Sequence, residues 1–426
     1  MRTAPQNIDM DKLRNAAAAG DANAQYALAA ALSNAGDRRE ADQWLNASAD
    51  QGHSDALYTL ATRAFYSSQT IDDGAALLQR ACEAGSLAAK RLAGVAHAEG
   101  LGFEADWVKG VSCVLDAASG GDPGAMTEVA MLLFAGDPND ADGAALIARA
   151  VTQDAGAAVI AVRRAAAGRQ HTDTNVAAKA LQQLTAAGYP NVAALQTALS
   201  GGAGDSAFKS SEPDWNRIAD KLAAPPPAPT LEPEAVCNRP SARVYRGAFS
   251  IEECEYVIAA SARLLAPSLI VDPQTGEARR DGYRNSLTAI LSLMDLDLAT
   301  AMINQRVAAL AGCPSDQGEF LSILCYRPGQ EYRPHFDWLP PGAEFDRSGQ
   351  RIATALISLN DGYGGGETHF LSPDIRFKGQ AGDLLVFDNV LADGEADQSS
   401  RHAGLPVTNG AKWLGSKWFR EKKYNF

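Results

Sequence analysis

The stretch EYRPHFDWLPPG, residues 331–342, decides how the second half of this chain is interpreted. It begins with the residue types of a β-strand and ends in a proline-containing turn. Because side chains alternate between the two faces of a strand, His335 and Asp337 would point one way and Phe336 the other. This pair could belong to a metal site, or it could be an ordinary polar edge of a sheet. The rest of the chain has to decide between these interpretations.

Length and composition exclude several classes of protein. A chain of 426 residues is long enough for two or three domains. No apolar run approaches the roughly 20 residues of a membrane span, and the first residues lack a signal-peptide pattern. The net charge of −13 disfavours nonspecific binding to nucleic acid or to an anionic membrane. The six scattered cysteines contain no Cys-x-x-Cys pair, which is typical of reduced thiols and predicts a cytoplasmic protein.

Residues 1–200 repeat one phrase: a small-residue helix end, a glycine and a second Ala- and Leu-rich helix. The glycines are spaced 32, 33, 36, 35 and 32 residues apart, at positions 20, 52, 85, 121, 156 and 188. This period is typical of stacked helix pairs, in which a glycine ends a helix in the left-handed conformation. The phrase resembles Sel-one-like repeats, relatives of the tetratricopeptide repeat, and predicts an N-terminal α-solenoid. Such solenoids usually present a surface to a protein or peptide, although this one could simply support its neighbour.

Residues 201–236 are rich in Gly, Ser and Pro and are interpreted as a linker. We expect one short helix near Trp215–Leu222 and an extended polyproline II segment over Pro225–Pro229. From residue 237 to residue 426 the pattern changes to short alternating runs separated by turns, after a helix that Ser250 and Glu253 would cap. Many short strands at this spacing predict an α+β domain with a jelly-roll core and flanking helices.

A facial iron(II) site needs two neutral imidazoles and one carboxylate. His53, His97 and His171 lie in the helical half, which leaves His369 and His402 as partners for His335 and Asp337. His402 is followed ten residues later by Lys412, and a turn is predicted between them at Asn409-Gly410.

The combination of His335-x-Asp337, the distal His402 and Lys412 resembles the signature of Fe(II)/2-oxoglutarate dioxygenases of the prolyl 4-hydroxylase type. The phrases CYRPGQEYRPHFD, GQRIATALISLND, GGETHF and RHAGLPVTNGAKW also resemble that family, so the similarity extends over residues ~240–426. It implies a double-stranded β-helix in which His335, Asp337 and His402 bind Fe(II). His369 is not expected to be a ligand.

The resemblance also implies the residues that hold the cosubstrate. Lys412 would pair with the far carboxylate of 2-oxoglutarate, which would otherwise be an unpaired charge in a closed pocket. Tyr326 and Thr368 match family residues that contact the same molecule. The implied reaction uses O2, converts 2-oxoglutarate to succinate and CO2, and hydroxylates an unactivated carbon, with ascorbate as the reductant.

For substrate binding the resemblance points to Tyr332 and Arg351. Tyr332 and Trp338 would suit a proline-bearing extended chain, because aromatic rings pack well on polyproline II. Arg420 replaces a histidine found in many relatives that hydroxylate proline-rich peptides, and it is a further candidate for substrate contact.

The leading hypothesis is a peptidyl-prolyl hydroxylase whose repeats recruit the peptide or protein substrate. An alternative keeps the chemistry and acts on a free amino acid or another small molecule. A third interpretation is a non-catalytic scaffold or oxygen sensor, against which the intact ligand set argues. The Pro225–Pro229 segment could also bind the groove of its own or a neighbouring molecule.

Overall fold

The computed structural model describes residues 9–66, 70–201, 212–271, 278–280 and 282–425. The part before residue 201 is entirely helical within these ranges. Its helices are α1 (Met10–Ala18), α2 (Ala22–Ala35), α3 (Arg38–Asp50), α4 (Ser54–Ala64), α5 (Ile71–Glu83), α6 (Leu87–Glu99), α7 (Trp107–Ser119), α8 (Pro123–Gly136), α9 (Ala141–Ala150), α10 (Ala155–Ala166), α11 (Thr174–Ala186) and α12 (Val192–Ser200).

The repeated glycines end helices as predicted, with one exception. Positive φ values at helix ends are found at the glycines of positions 20, 52, 85, 121 and 188. Gly156 is the exception, and its prediction was wrong. It lies in the first turn of α10, where Asp154 is the N-cap and accepts a hydrogen bond from the backbone N–H of Ala157. The helix-pair solenoid is nevertheless confirmed.

Part of the segment predicted as a linker packs on the repeats. It forms the expected short helix, α13 (Trp215–Lys221). Arg217 binds Asp142 through two nitrogens, and Lys221 Nζ lies 2.9 Å from Asp142 Oδ2. Residues 202–211 lie outside the described ranges. The predicted end of the linker at residue 236 falls within the first strand, so the sheet begins earlier than expected, at Glu234.

The second half is built mainly of short strands. These are β1 (Glu234–Asn238), β2 (Ser241–Tyr245), β3 (Ala266–Pro267), β4 (Ile270–Val271), β5 (Ala278–Arg279), β6 (Leu287–Leu291), β7 (Leu321–Tyr326), β8 (Tyr332–His335), β9 (Arg351–Ser358), β10 (Gly364–Gly365), β11 (Thr368–Phe370), β12 (Ile375–Phe377), β13 (Leu384–Asp388), β14 (His402–Gly404), β15 (Val407–Asn409) and β16 (Lys412–Arg420). In the described part of this half, three α-helices accompany them, α14 (Ile251–Ala262), α15 (Leu298–Ala311) and α16 (Ala343–Ser348).

Two antiparallel sheets form the core of this half. The larger has the order β1-β2-β13-β9-β16-β7-β6-β3, and the smaller has the order β12-β11-β14-β8. This is the predicted double-stranded β-helix. Helix α14 begins with the expected capping box between Ser250 and Glu253, and α14 and α15 pack on the outer face of the larger sheet. The inner face is therefore left to meet the smaller sheet, and the functional residues lie between the two.

The helical and strand-rich halves share one hydrophobic core. A single cluster of buried side chains joins Val129 and Ile160 of the repeats to Val257 and Leu298 of the second half. Polar contacts also cross the boundary, because the backbone N–H of Leu298 donates to Glu128 at 2.6 Å. Within the described ranges, no helix combines the length and apolarity needed to cross a membrane.

Candidate metal centre and cosubstrate pocket

Neighbouring strands bring the three predicted metal ligands together. His335 ends β8 and His402 begins β14, and the two are direct partners in the pairing of these strands. Asp337 follows β8 and is 5% exposed. Its two carboxylate oxygens lie 3.7 Å from the Nε2 atoms of His335 and His402, respectively. Possible ligand atoms of all three residues lie within 4.8 Å of one another.

Hydrogen bonds orient these side chains toward a common centre. His335 Nδ1 lies 2.7 Å from the carbonyl oxygen of Arg333, and His402 Nδ1 lies 2.9 Å from that of Ser400. Because a carbonyl can only accept, each Nδ1 carries the proton and each Nε2 keeps its lone pair for a metal. The Thr354 hydroxyl donates to Asp337 Oδ2 at 2.7 Å. Two oriented imidazoles and one carboxylate fit the donor set that iron(II) prefers in oxygenases.

The charge states also suit a metal ion. Burial, with a contribution from His402, lowers the pKa of His335 to about 3, so this imidazole is neutral near pH 7. Burial by itself would raise the pKa of Asp337. His402 and His335, together with Arg351 and the Thr354 hydroxyl, outweigh that effect and hold it below its ordinary value. The centre therefore offers a neutral imidazole at His335 and a negative charge at Asp337.

The predicted cosubstrate residues line the same cavity as the ligands. Lys412 and Tyr326 are partners in the pairing of β16 with β7, and Thr368 begins β11 on the opposite sheet. Lys412 is 5% exposed, and its Nζ donates to the Gly366 carbonyl at 2.7 Å. It forms no ion pair with a carboxylate of the described ranges. Burial lowers its pKa to about 8. A buried ammonium with no carboxylate in salt-bridge contact fits an anionic ligand such as the far carboxylate of 2-oxoglutarate.

The residues predicted to bind the substrate do not all line the cavity. The Tyr332 ring lines the cavity and stacks on His335 with centroids 3.5 Å apart. Trp338 packs beside Phe336 at 4.8 Å and does not line the cavity. Arg351 is held by Glu319 through bonds of 2.6 and 2.8 Å, behind the cavity wall.

Arg420, for which a substrate contact was predicted, does not line the cavity. This side chain is 0% exposed, because its guanidinium binds Glu319 and donates to the carbonyl oxygen of Gly349 at 2.8 Å. Arg420 is therefore part of the support behind the wall. His369 lies outside the metal group and makes a 2.6 Å contact with Asp374.

Seven residues that line the cavity were not predicted from the sequence, and Trp418 and Arg284 are the two with large polar or aromatic side chains. Trp418 lines the cavity from β16. The alternation of that strand places it on the same face as Lys412, which could have revealed it. Arg284 reaches the cavity from the segment before β6, and its guanidinium lies 5.1 Å from the centroid of the Tyr332 ring. Its position in an irregular segment gave no periodic signal.

Comparisons with known proteins agree with this geometry. Residues 321–420 match the model of the 2OG-Fe(II) oxygenase superfamily. Prolyl 4-hydroxylase 1 of Arabidopsis thaliana is 33% identical over an alignment of 206 residues, which covers 45% of this chain and 73% of the plant protein. The superfamily match includes the metal group and Lys412.

Two solved structures show weaker likeness. The 2-oxoglutarate complex of the viral collagen prolyl hydroxylase from Paramecium Bursaria Chlorella virus-1 is 23% identical, with a TM-score of 0.33, and covers 44% of this chain and 99% of its own. A Sel1 repeat protein from Oxalobacter formigenes is 16% identical, with a TM-score of 0.38, and covers 50% and 99%. On the identity to the plant enzyme and the superfamily match, the chain belongs to the prolyl 4-hydroxylase family of Fe(II)- and 2-oxoglutarate-dependent dioxygenases.

Proposed function

We propose that this protein hydroxylates a prolyl residue in a peptide or protein and couples that reaction to the decarboxylation of 2-oxoglutarate to succinate and CO2. One observation carries the proposal. The group formed by His335, Asp337 and His402 shares a buried cavity with Lys412, the cation that a dicarboxylate cosubstrate requires. An intact set of this kind also argues against a non-catalytic scaffold or oxygen sensor.

The metal ligands act through their fixed orientation. Bound iron(II) supplies the activation of O2 that this class of hydroxylation needs. His335 and His402 would bind it through Nε2 because backbone carbonyls hold their Nδ1 protons. Asp337 would bind it through the carboxylate that the Thr354 hydroxyl keeps in place. Asn389 in turn donates to Thr354 at 2.9 Å, so the carboxylate rests on two successive buried hydrogen bonds.

The cosubstrate would be held at its far carboxylate by Lys412. In a buried cavity this ion pair is strengthened by the exclusion of water, and the ammonium gains a carboxylate in direct contact. The hydroxyl groups of Tyr326 and Thr368, which line the same cavity, would donate further hydrogen bonds to the cosubstrate. We assign ascorbate the role of a reductant that keeps iron in the ferrous state.

The substrate would lie on the wall formed by Tyr332, Trp418 and Arg284. Aromatic rings on such a wall suit the flat, pre-extended surface of a proline-containing chain. Arg351 would support this wall without touching the substrate, because its guanidinium lies 4.3 Å from the centroid of the Trp418 ring. Trp338 is assigned to the outer rim beside Phe336.

Three further elements of the proposal concern the whole chain. The repeats would recruit the polypeptide substrate, and the free thiols of all six cysteines suit a reducing cytoplasm. The Pro225–Pro229 segment would also bind in the cavity of the same or a neighbouring molecule. Hydroxylation of the bound segment would be detected by intact-mass analysis after incubation with Fe(II) and 2-oxoglutarate. A linker peptide without a one-oxygen increment would count against modification of that segment.

The proposed substrate class is tested by comparing proline-containing peptides with free proline. The purified chain would be incubated with Fe(II), ascorbate, O2 and 2-oxoglutarate, and succinate would be measured with each substrate. We expect succinate formation that depends on the peptide and matches hydroxyproline one to one. Turnover stimulated by free proline and not by peptides would favour the small-molecule alternative.

A further inference from the structure

The iron cavity continues past Lys412 into a smaller space, the inner compartment. Four residues line both spaces: Leu356, Thr368, Lys412 and Leu414. The metal group lines only the iron cavity, so these shared residues lie between the iron site and the inner compartment. The volume of the compartment is about 10 Å³, against about 40 Å³ for the iron cavity. A space of this size holds one water-sized atom.

The inner compartment contains a buried hydroxyl that has no partner. Ser358 ends β9, is 5% exposed and lines the compartment. It lies on the same face of β9 as Leu356, which lines the iron cavity, and Thr354, which binds Asp337. Within the described ranges its backbone N–H and carbonyl are hydrogen-bonded, and its hydroxyl makes no hydrogen bond. Because buried hydroxyl groups normally have partners, this one indicates a water or ligand oxygen in the compartment.

Lys412 supplies a cation at the same small space. Its Nζ donates to the carbonyl oxygen of Gly366 at 2.7 Å, and Gly366 also lines the compartment. An ammonium group has three protons, so two remain for ligand atoms. Since the compartment holds only one water-sized atom, the side chains of Lys412 and Ser358 border the same position. A cation and a hydroxyl donor at one buried position fit a carboxylate oxygen.

Apolar side chains and a glycine close the rest of the compartment. Phe377 of β12 and Leu385 of β13 line it. A Cβ atom at Gly379 would overlap with Ser358 Oγ. The space in front of the Ser358 hydroxyl therefore exists because residue 379 has no side chain. Ser358 and Gly379 together set the depth of the pocket beyond Lys412.

We propose that Ser358 sets the length of the 2-oxo acid that this enzyme accepts, and that the site takes the six-carbon 2-oxo dicarboxylate, 2-oxoadipate, as well as 2-oxoglutarate. When 2-oxoglutarate is bound, a water fills the inner compartment beside Ser358. The longer acid has one more methylene, which extends its reach by up to about 1.5 Å. Its far carboxylate stays in contact with Lys412 and places one oxygen at the Ser358 hydroxyl, in place of the water. This inference rests on the proposed function for the identity of the cosubstrate site.

The longer acid would take part in the same coupled reaction. The bond between its first and second carbons breaks, which releases CO2 and gives glutarate instead of succinate. One atom of O2 enters the new carboxylate of glutarate, and the other becomes the hydroxyl oxygen on the substrate carbon. The acid and the C–H bond each supply two of the four electrons that reduce O2.

The test measures binding of the two acids separately from turnover. The full-length protein loaded with Fe(II) is titrated with each acid by calorimetry in the absence of O2. We expect the dissociation constant of 2-oxoadipate to lie within about tenfold of that of 2-oxoglutarate, because the carboxylate oxygen reproduces the hydrogen bonds of the water that it displaces.

Two substitutions remove the interaction in different ways. Ser358→Ala removes the hydroxyl and keeps the space, whereas Gly379→Ala places a methyl group in that space. Each should weaken 2-oxoadipate at least about tenfold more than it weakens 2-oxoglutarate, because a hydrogen bond to a carboxylate is a strong one.

Ser322 offers a matched control. It is a buried serine of β7 in the same sheet, is 6% exposed and lines neither the iron cavity nor the inner compartment. Ser322→Ala should leave the ratio of the two dissociation constants within about twofold of the wild-type ratio.

The outcomes separate this inference from the proposed function. Binding of 2-oxoadipate to the wild-type protein more than tenfold more weakly than 2-oxoglutarate, or equal effects of Ser358→Ala on both acids, would overturn the inference and leave the cosubstrate site intact. Binding of both acids, with a selective loss of the longer one in Ser358→Ala and Gly379→Ala, would support it even if no proline is hydroxylated. In that case prolyl hydroxylation would be the part that fails. A protein that binds neither acid would overturn both.

Discussion

The substitution Lys412→Met should weaken 2-oxoglutarate binding while making the ligand-free protein more stable. Methionine keeps the unbranched shape of the lysine side chain and removes its charge. Lys412 is 5% exposed, and burial lowers its pKa from 10.5 to about 8. A folded-state pKa below the unfolded value means that the charged side chain destabilises the fold.

The size of both effects follows from these values. The pKa difference corresponds to roughly 3 kcal/mol of burial cost near pH 7. Losing the hydrogen bond to the Gly366 carbonyl offsets about 1 kcal/mol of the stability gained by removing the buried charge. We therefore expect Lys412→Met to stabilise the ligand-free protein by about 2 kcal/mol. Leaving the far carboxylate of the cosubstrate unpaired in the cavity should weaken its binding at least about 100-fold.

The same strand offers a matched control. Lys417 of β16 is also 5% exposed, and burial likewise lowers its pKa to about 8. Its Nζ donates to the carbonyl oxygen of Glu319 at 2.7 Å and does not line the iron cavity. Lys417→Met should therefore change stability by a similar amount and leave the dissociation constant of 2-oxoglutarate within about twofold of the wild-type value.

Urea denaturation and calorimetric titration with 2-oxoglutarate measure the two effects. The stability advantage of Lys412→Met should be full below pH 8 and should shrink as the pH rises toward 10.5, because the folded wild-type protein then releases its proton first. Above pH 8 the wild-type protein should also bind 2-oxoglutarate progressively less tightly. An unchanged dissociation constant in Lys412→Met, or an equal loss in both variants, would refute the assignment of Lys412 as the carboxylate partner.

Three further substitutions test other contacts. Thr354→Val removes the hydrogen bond to Asp337 and should weaken iron binding about 10- to 100-fold, measured as the metal retained after dialysis; unchanged retention would contradict this support. Trp418→Ala should raise the KM for a peptide about 10-fold or more at an unchanged KM for 2-oxoglutarate, whereas parallel changes would place Trp418 at the cosubstrate. Glu255→Ala leaves Arg163 buried without its carboxylate and should cost about 3 kcal/mol in urea denaturation; a loss below about 1 kcal/mol would contradict tight coupling of the halves.

The fold was predictable where the pattern is local and periodic. The glycines that end helices and the Ser250–Glu253 capping box are set by neighbouring residues, so the sequence predicted them correctly. Gly156 was predicted wrongly because the sequence around it matches the repeat. Asp154, two residues earlier, is the N-cap of α10, so Gly156 lies at the start of a helix and not at the end of one. The docking of α13 on the repeats depends on Asp142, 75 residues before Arg217, and no local pattern indicates such a contact.

The site residues also fall into those that a sequence pattern indicates and those that depend on distant contacts. The spacing of the metal group and Lys412 carried a family resemblance, and the structure brings all four residues to one cavity. The position of Arg420 could not be predicted, because its burial depends on a carboxylate about 100 residues earlier in the chain, Glu319. Arg284 was missed because it enters the cavity from an irregular segment.

The central claim is tested most directly by mass spectrometry of a proline-containing peptide after incubation with Fe(II), O2 and 2-oxoglutarate. The wild-type protein should add one oxygen atom to a proline and release one succinate for each hydroxylation. Asp337→Ala should give neither product and should retain no iron after dialysis. Hydroxylation by Asp337→Ala at the wild-type rate would contradict the assignment of the metal centre. Absence of both products with the wild-type protein across a peptide library would contradict prolyl hydroxylation itself.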